Sequence, residues 1–280
     1  KTDSITLTSP QTEEEAPVRM TIRGSHDGRF WFDLASFPPP KPALQLNFPE
    51  TDMHLRVFKT SAKILKEDYS WEDISKLVQK VKPTEVNQVE ALSWQSPEES
   101  KDAYFLLWSG PLVQEREGAI RIEVIGRNTA LMLNGKLEMP IREGTQSVDL
   151  FVPRGVHKLN ILTIATPEAK SVEAKLAREN RQSSIVKMRP FTATDFDPDS
   201  AADIPYFEPV PAPEITQEEN HWTLSMPSRE LRFIDFEFLE YRGEGIAISN
   251  VEISGGELKH IPPTADVLEL ASNDILELAP

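Results

Sequence analysis

The chain has 280 residues, with 30 basic and 45 acidic side chains (net charge −15), 23 prolines, 12 glycines and no cysteine. That length suits one large domain or two ordinary ones, each able to bury its own core. Without cysteine there is no disulfide scaffold, thiolate zinc site or iron–sulfur cluster, and so acidic a surface repels a phosphate backbone, so no nucleic acid partner is expected.

The acidity is uneven. Residues 184–280 hold 6 basic and 19 acidic side chains, 6 − 19 = −13, which leaves −15 + 13 = −2 for residues 1–183. The longest apolar run, Leu159–Ala165, is far short of the roughly 20 residues of a membrane span, and no membrane insertion is expected.

Taken in chain order, residues 1–40 read as an N-terminal β meander, either a short segment of its own or part of a neighbouring module. It consists of SITLTS from Ser4, VRMTIRG from Val18, a Ser25-His26-Asp27-Gly28 turn, then RFWFDL from Arg29. Asp-Gly between two β-rich runs is a hairpin signal. The run Phe37-Pro38-Pro39-Pro40-Lys41-Pro42 cannot sit inside a sheet, because proline donates no ladder hydrogen bond, and marks a module edge. The opening Asp3-Ser4-Ile5-Thr6-Leu7 echoes the closing Asp274-Ile275-Leu276-Glu277-Leu278. The two are either ordinary edge strands or signs of a piece of a longer multidomain chain.

Residues 50–185 read as a β-sandwich with one or two short helices. Ser70-x-x-Asp73 resembles a capping box, Ile74, Leu77, Val78 and Val81 share a helical face, and Pro83 follows, so the spacing predicts a helix over Trp71–Val81. The period then becomes two. Ile120, Ile122 and Val124 alternate with Arg121 and Glu123; Leu131 and Leu133 lead into an Asn134-Gly135 turn; Val148, Leu150 and Val152 alternate with Ser147, Asp149 and Phe151; Gly155 turns the chain into His157–Ala165. Such alternation marks antiparallel strands with one buried face. Thr166-Pro167 is expected to start a second helix through about Gln182, mostly exposed. Residues 186–215 form an acidic, proline-rich linker, and residues 216–280 a smaller all-β module. In the latter Leu231–Tyr241 alternates, Gly243-Glu244-Gly245 turns the chain into Ile246–Ile253, and Gly255-Gly256 turns it again. The fold class expected is mainly β.

The features of residues 50–165 occur in a telling order: Ser70-Trp71-Glu72-Asp73, then YFLLWSGPL at 104–112, the strand Ala119–Ile125, Leu131-x-Leu133-Asn134-Gly135-Lys136, and VDLFVPRGVHKLNI at 148–161. This order resembles the protective-antigen domain family, β-sandwich modules of bacterial toxins, glycosidases and yeast adhesins. The resemblance implies a sandwich fold. In members that bind sugar through calcium it implies an acidic pair just before the Leu-x-Leu strand. Here that stretch is Gly126-Arg127-Asn128-Thr129, with a cation at Arg127 and a side-chain carbonyl oxygen only at Asn128. Asn128 and the turn residue Asn134 are the candidate ligand contacts in this part. Leu231–Ile234 followed by Ile246–Ile253 resembles the closing strands of discoidin-type sandwiches, or is plain strand composition.

Chemistry-bearing motifs are sparse. His26, His54, His157, His221 and His260 are dispersed, and no zinc-protease, nucleophile-elbow, phosphate-loop or dinucleotide signature occurs, so no enzyme is expected. The candidate metal ligands are Asp195, Asp197, Asp199 and Asp203. Acids at alternate positions suit calcium, the one cofactor considered, although Ser200 stands where a glycine is expected and Tyr206 where a glutamate is. The alternative is a solvated acidic linker. Trp71 and Trp108 sit in apolar patterns and read as core, while Trp31, Trp94 and Trp222 are candidates to stack on sugar rings. The expected function is a non-enzymatic extracytoplasmic module that binds carbohydrate, within a larger secreted or surface protein of a bacterium (extracellular, cell-surface or periplasmic). The alternative is a structural spacer or assembly subunit whose partners are neighbouring protein domains.

Overall fold

The computed structural model describes residues 1–10, 16–44, 46, 51–61, 69–142, 144–180, 186–199, 203–208, 213–243, 245–254, 258–261 and 273–278. The chain forms two compact units, Lys1–Lys41 with Val210–Pro280, and Pro42–Pro209. Both are antiparallel β structures.

The first unit combines both ends of the chain. Its strands are β1 (Thr2–Thr8), β2 (Pro17–Ser25), β3 (Phe32–Phe37), β15 (Glu214–Glu218), β16 (His221–Arg229), β17 (Phe233–Tyr241), β18 (Asn250–Ile253), β19 (Leu258–Ile261) and β20 (Asn273–Leu278). One sheet runs β15-β16-β1-β18 and the other β19-β20-β17-β2-β3. The expected meander is therefore corrected. β2 and β3 do form a hairpin across the Asp27-Gly28 turn, but β1 pairs with β16 and β18 in the other sheet. Alternation explains the placement: Ile5 and Leu7 are buried opposite Leu224 and Trp222 of β16. In the second sheet Ile22 faces Phe236 in register, and both are buried. Leu231–Ile234 and Ile246–Ile253 lead into strands of different sheets, β17 and β18. The expected Gly255-Gly256 turn lies outside the described residues.

The second unit holds β4 (His54–Ser61), α1 (Trp71–Lys80), β5 (Glu85–Gln88), β6 (Ser93–Gln95), β7 (Asp102–Gln114), β8 (Gly118–Ile125), β9 (Arg127–Leu133), β10 (Lys136–Arg142), β11 (Gln146–Val152), β12 (Gly155–Ala165), β13 (Ser171–Arg178) and β14 (Arg189–Pro190). Its sheets are β10-β9-β12-β7-β4-β5 and β11-β8-β13-β14, with β6 also on β13. Between them lies the main core, where Leu106 and Trp108 of β7 and Ile161 of β12 meet Ile120, Ile122 and Val124 of β8 and Leu176 of β13. The outer face of the larger sheet is covered by α1, whose Trp71, Ile74 and Val78 pack with Phe105, Leu107, Met132 and Leu162. Ser70 and Asp73 form a reciprocal capping box at the helix start. Val81, expected on the buried face, is instead the exposed C-cap.

Two expectations about this unit are corrected. The helix expected from Thr166 is the strand β13, in register with β8 through Ala174–Val124 and Leu176–Ile122. Val172, Ala174 and Leu176 are buried there while Glu173 and Lys175 are not, so the strand period overrides the helix propensity of Ala, Lys and Glu. The start of the expected linker is also packed. Phe191 and Phe196 stack at 5.4 Å and are part of the core.

Close approach makes one glycine indispensable. A Cβ on Gly110 of β7 would lie 2.6 Å from both the Asp52 carbonyl oxygen and Met53 Cα, backbone atoms that have no rotamer in which to retreat. Gly110→Ala is therefore expected to lower stability by about 1–3 kcal/mol, measured as a drop in the urea midpoint with an unchanged slope.

Candidate functional site

In the second unit, the end of β7, the turn Glu115–Glu117, the start of β8, the end of β13 and residues 189–195 enclose an open cleft of about 580 Å³. Its floor is built around one carboxylate. Asp195 is only 2% exposed and ends a single 3-10 turn, Ala193–Asp195. Arg178 Nη1 donates to its Oδ1 at 2.5 Å, and Arg189 donates through Nη2 to Oδ1 at 2.8 Å and through Nη1 to Oδ2 at 2.7 Å. Oδ2 also accepts from the Thr192 backbone N at 2.9 Å and from Thr192 Oγ1 at 3.1 Å. Burial works to raise the Asp195 pKa, but Arg189, Arg178 and the Thr192 N–H outweigh it and hold the group at about 2. Arg189 is correspondingly raised, chiefly by its hydrogen bonds to Asp195.

Arg178 extends the framework to β7, donating from Nε to Gln114 Oε1 at 3.0 Å and from Nη2 to the Val113 carbonyl at 2.8 Å. Because Oε1 is the acceptor, the Gln114 amide NH₂ remains as a donor. Beside it Glu179 Oε2 accepts from the Ala119 N–H at 3.0 Å. The side chains of Arg178 and Arg189 stay 32% and 41% exposed, and Glu115, Arg116 and Glu117 are exposed on the rim.

A second polar network closes the β9–β10 hairpin. Asn134 and Gly135 both have positive φ, 50° and 84°, as a type I′ turn requires. Asn134 Oδ1 accepts from the Lys158 N–H at 2.9 Å and Nδ2 lies 2.8 Å from His157 Nδ1. His157 Nε2 lies 2.8 Å from the Pro153 carbonyl, which can only accept. The ring is thus the neutral Nε2–H tautomer, with Nδ1 accepting from Asn134. Desolvation lowers the His157 pKa below its ordinary 6.5, against the Pro153 hydrogen bond.

The residues singled out from the sequence are not brought together. Trp222 is fully buried, opposite Leu7 and Gln217, because it falls on the inward face of an alternating strand; it is core. Trp94 is half-buried on the edge strand β6, 5.0 Å from the Tyr104 ring and packed on the main core. Trp31 lies in the other unit at the β2–β3 turn, half-buried, with Nε1 donating to the Gly28 carbonyl. Asn128 is buried with φ 51°, beside the Thr129–Thr163 hydroxyl pair at 2.9 Å. Asn134 spends both ends of its amide on His157 and Lys158, a structural role. Asp195 is committed to two arginines and is no calcium ligand. Asp197, Asp199 and Asp203 are exposed, and Asp197 Oδ1 accepts from the Asp199 N–H at 3.0 Å. Among the described residues no group of three or more His, Asp or Glu is placed to hold a metal ion, so the acids here do not fit calcium. Sequence reading missed Gln114, Arg178 and Arg189. Only the alternation Val172-x-Ala174-x-Leu176 carried a signal, that of a strand ending at Arg178.

No family model matches the chain, and no curated protein matches it. Among solved structures it is similar to a beta-glucosidase from Kluyveromyces marxianus (12% identity, 46% of this chain, 14% of that one, TM-score 0.31). It is also similar to the PA14 domain of the antifreeze protein MpAFP (8%, 55% and 95%, 0.40). A third is the epithelial adhesin 9 A domain from Candida glabrata in complex with Galb1-4GlcNAc (10%, 57% and 98%, 0.35). The chain thus spans a small part of the beta-glucosidase. No helix of the described residues is long and apolar enough to cross a membrane.

Two groups tie stability to pH. The Asp195 pKa is depressed from 3.8 to about 2, so its contribution is full above about pH 4 and is lost as pH falls through 2. Allowing for screening around its part-exposed arginines, that contribution is about 1–2 kcal/mol. The stability gap between wild type and Asp195→Asn, from urea unfolding at stepped pH, should narrow by that amount over this window. His157 binds its proton less readily folded than unfolded, so its contribution is full above about pH 6.5 and is lost below it. Between pH 7 and pH 5 wild type should lose more stability than His157→Gln.

Proposed function

We propose that this chain is a non-enzymatic, extracytoplasmic carbohydrate-binding module and that the cleft of the second unit receives the sugar without a metal ion. The observation that carries this reading is the Asp195 framework, which holds Arg178, Arg189 and Gln114 in place before any ligand arrives. Preorganised polar groups spare the ordering cost of binding.

The charge around the cleft is nearly balanced: Arg116, Arg178 and Arg189 against Glu115, Glu117, Glu179 and Asp195, 3 − 4 = −1. Such a lining favours neither a strong anion nor a strong cation. A sugar hydroxyl both donates and accepts, so a polyol can satisfy guanidinium and carboxylate neighbours at once. The volume of about 580 Å³ lies in the usual range for small-ligand sites and suits one or two sugar rings. A second reading, an assembly module that binds neighbouring protein domains, draws on the exposed Leu239 and Tyr241 near the end of β17.

The test is a neutral-glycan array followed by titration in about 1 mM calcium, within the weak extracellular-site range, and again with chelator. Binding is expected to be equal in both, and Arg116→Ala, an exposed rim change, to weaken it at least about tenfold, the loss of one charge-assisted hydrogen bond. Binding that disappears with chelator overturns the metal-free site. Absence of binding to any glycan overturns the carbohydrate reading in favour of assembly.

A further inference from the structure

The floor of the cleft in the second unit is a set of donors. Asp195 adds no acceptor to it. Its Oδ1 already accepts from Arg178 and Arg189, and its Oδ2 from Arg189 and from the N–H and hydroxyl of Thr192, which fills the lone-pair sites of a carboxylate. The Val113 carbonyl is taken by Arg178 Nη2, and the Thr192 and Thr194 hydroxyls lie 3.0 Å apart and serve each other. What remains is N–H groups. Gln114 is 4% exposed and lines the cleft. Its Oε1 is held by Arg178 Nε at 3.0 Å, and its NH₂ has no partner among the described residues. Arg189 spends two N–H groups of Nη1 on the Pro190 carbonyl and Asp195, and one of Nη2 on Asp195. The other N–H of Nη2 and that of Nε lie side by side in the planar guanidinium, on a side chain that is 41% exposed.

A ligand group that settles on this floor must accept without bringing a proton there. A hydroxyl can accept, but its own proton then faces donors. A carboxylate accepts only, yet it would take the net charge of the lining from −1 to −1 − 1 = −2, beside Glu115 and Glu117. A neutral amide meets both conditions. In a trans amide the N–H points away from the carbonyl, so a carbonyl on the floor sends its N–H toward the rim, where Glu115 and Glu117 are exposed acceptors. We infer that the cleft selects sugars that carry an N-acyl group, 2-acetamido hexoses above all, and that the Gln114 NH₂, with the open edge of Arg189, receives the acyl carbonyl. This inference rests on the reading of the cleft as a carbohydrate site and adds which sugars it prefers.

The experiment titrates the whole chain with N-acetylglucosamine, N-acetylgalactosamine, glucose, galactose and glucuronate. Affinity is followed by calorimetry, and the Gln114 side-chain NH₂ resonances, assigned by triple-resonance NMR, are followed in the same titrations. At least one acetamido sugar is expected to bind about tenfold tighter than its parent hexose, the gain of one good hydrogen bond, and to shift the Gln114 resonances. Gln114→Glu keeps the acceptor for Arg178 and replaces the donor with an acceptor, so the ratio should fall to about one. A thermal melt checks the fold of the variant, and the wild-type resonances decide the matter if it is lost. Equal binding of acetamido and parent sugars, Gln114 resonances unmoved by both acetamido sugars, or a preference undiminished in folded Gln114→Glu overturns this inference and leaves the carbohydrate reading standing. Glucuronate binding tighter than either acetamido sugar also overturns it, in favour of a cleft that reads a carboxylate. Absence of binding to every sugar overturns both.

Discussion

A single strand, β7, must be apolar on both of its faces, and the second unit is arranged around that requirement. Tyr104, Leu106, Trp108 and Leu112 point into the core between the sheets, while Phe105 and Leu107 point to the helix side. A strand of an antiparallel sheet normally keeps one wet face. Here α1 removes it, which is why the five consecutive residues Tyr104–Trp108 are all apolar or aromatic. The same burial leaves no room along the strand, so Gly110 meets the backbone before β4. It also carries the far end of β7 to the cleft, where the Val113 carbonyl and Gln114 become hydrogen-bond partners of Arg178.

At that end the dominant interaction changes from apolar packing to charge. A buried carboxylate is costly unless its lone pairs are filled, and Asp195 fills them with donors from β13, β14 and its own 3-10 turn. Removing either arginine would leave the carboxylate short of donors, and removing the carboxylate would set two guanidinium groups against each other. The cluster is therefore a locked joint between β7, β13 and residues 189–195. It also holds the part-exposed guanidinium groups of Arg178 and Arg189 still.

The first unit relies on turn chemistry instead. Its turn at Ser25–Phe30 is closed by side-chain-to-backbone bonds, the usual role of Ser and Asp in loops, and those bonds orient an aromatic ring. In one unit a charged network holds its polar groups, and in the other a turn holds its aromatic group.

Local periodicity and turn chemistry were legible from the sequence alone. The mainly β class, the strands β8 and β11, the Asn134-Gly135 hairpin and the capping box at Ser70 each depend on residues within a few positions of one another, and a one-dimensional pattern records them. The run Ser171–Arg178 was harder, because its composition favours helix while its alternation favours strand; pairing with β8 decided between them. The position of β1, the burial of Trp222 and the fate of Asp195 were decided only by the tertiary structure. An aspartate in an acidic run has the same letters around it whether it faces calcium, water or two arginines. Its nearest donor on β13 lies 17 residues away, and only the path of the chain brings them together. Charge and stacking act through distance in space, so the sequence by itself determined the strands, and the packing of those strands decided which side chains make a site.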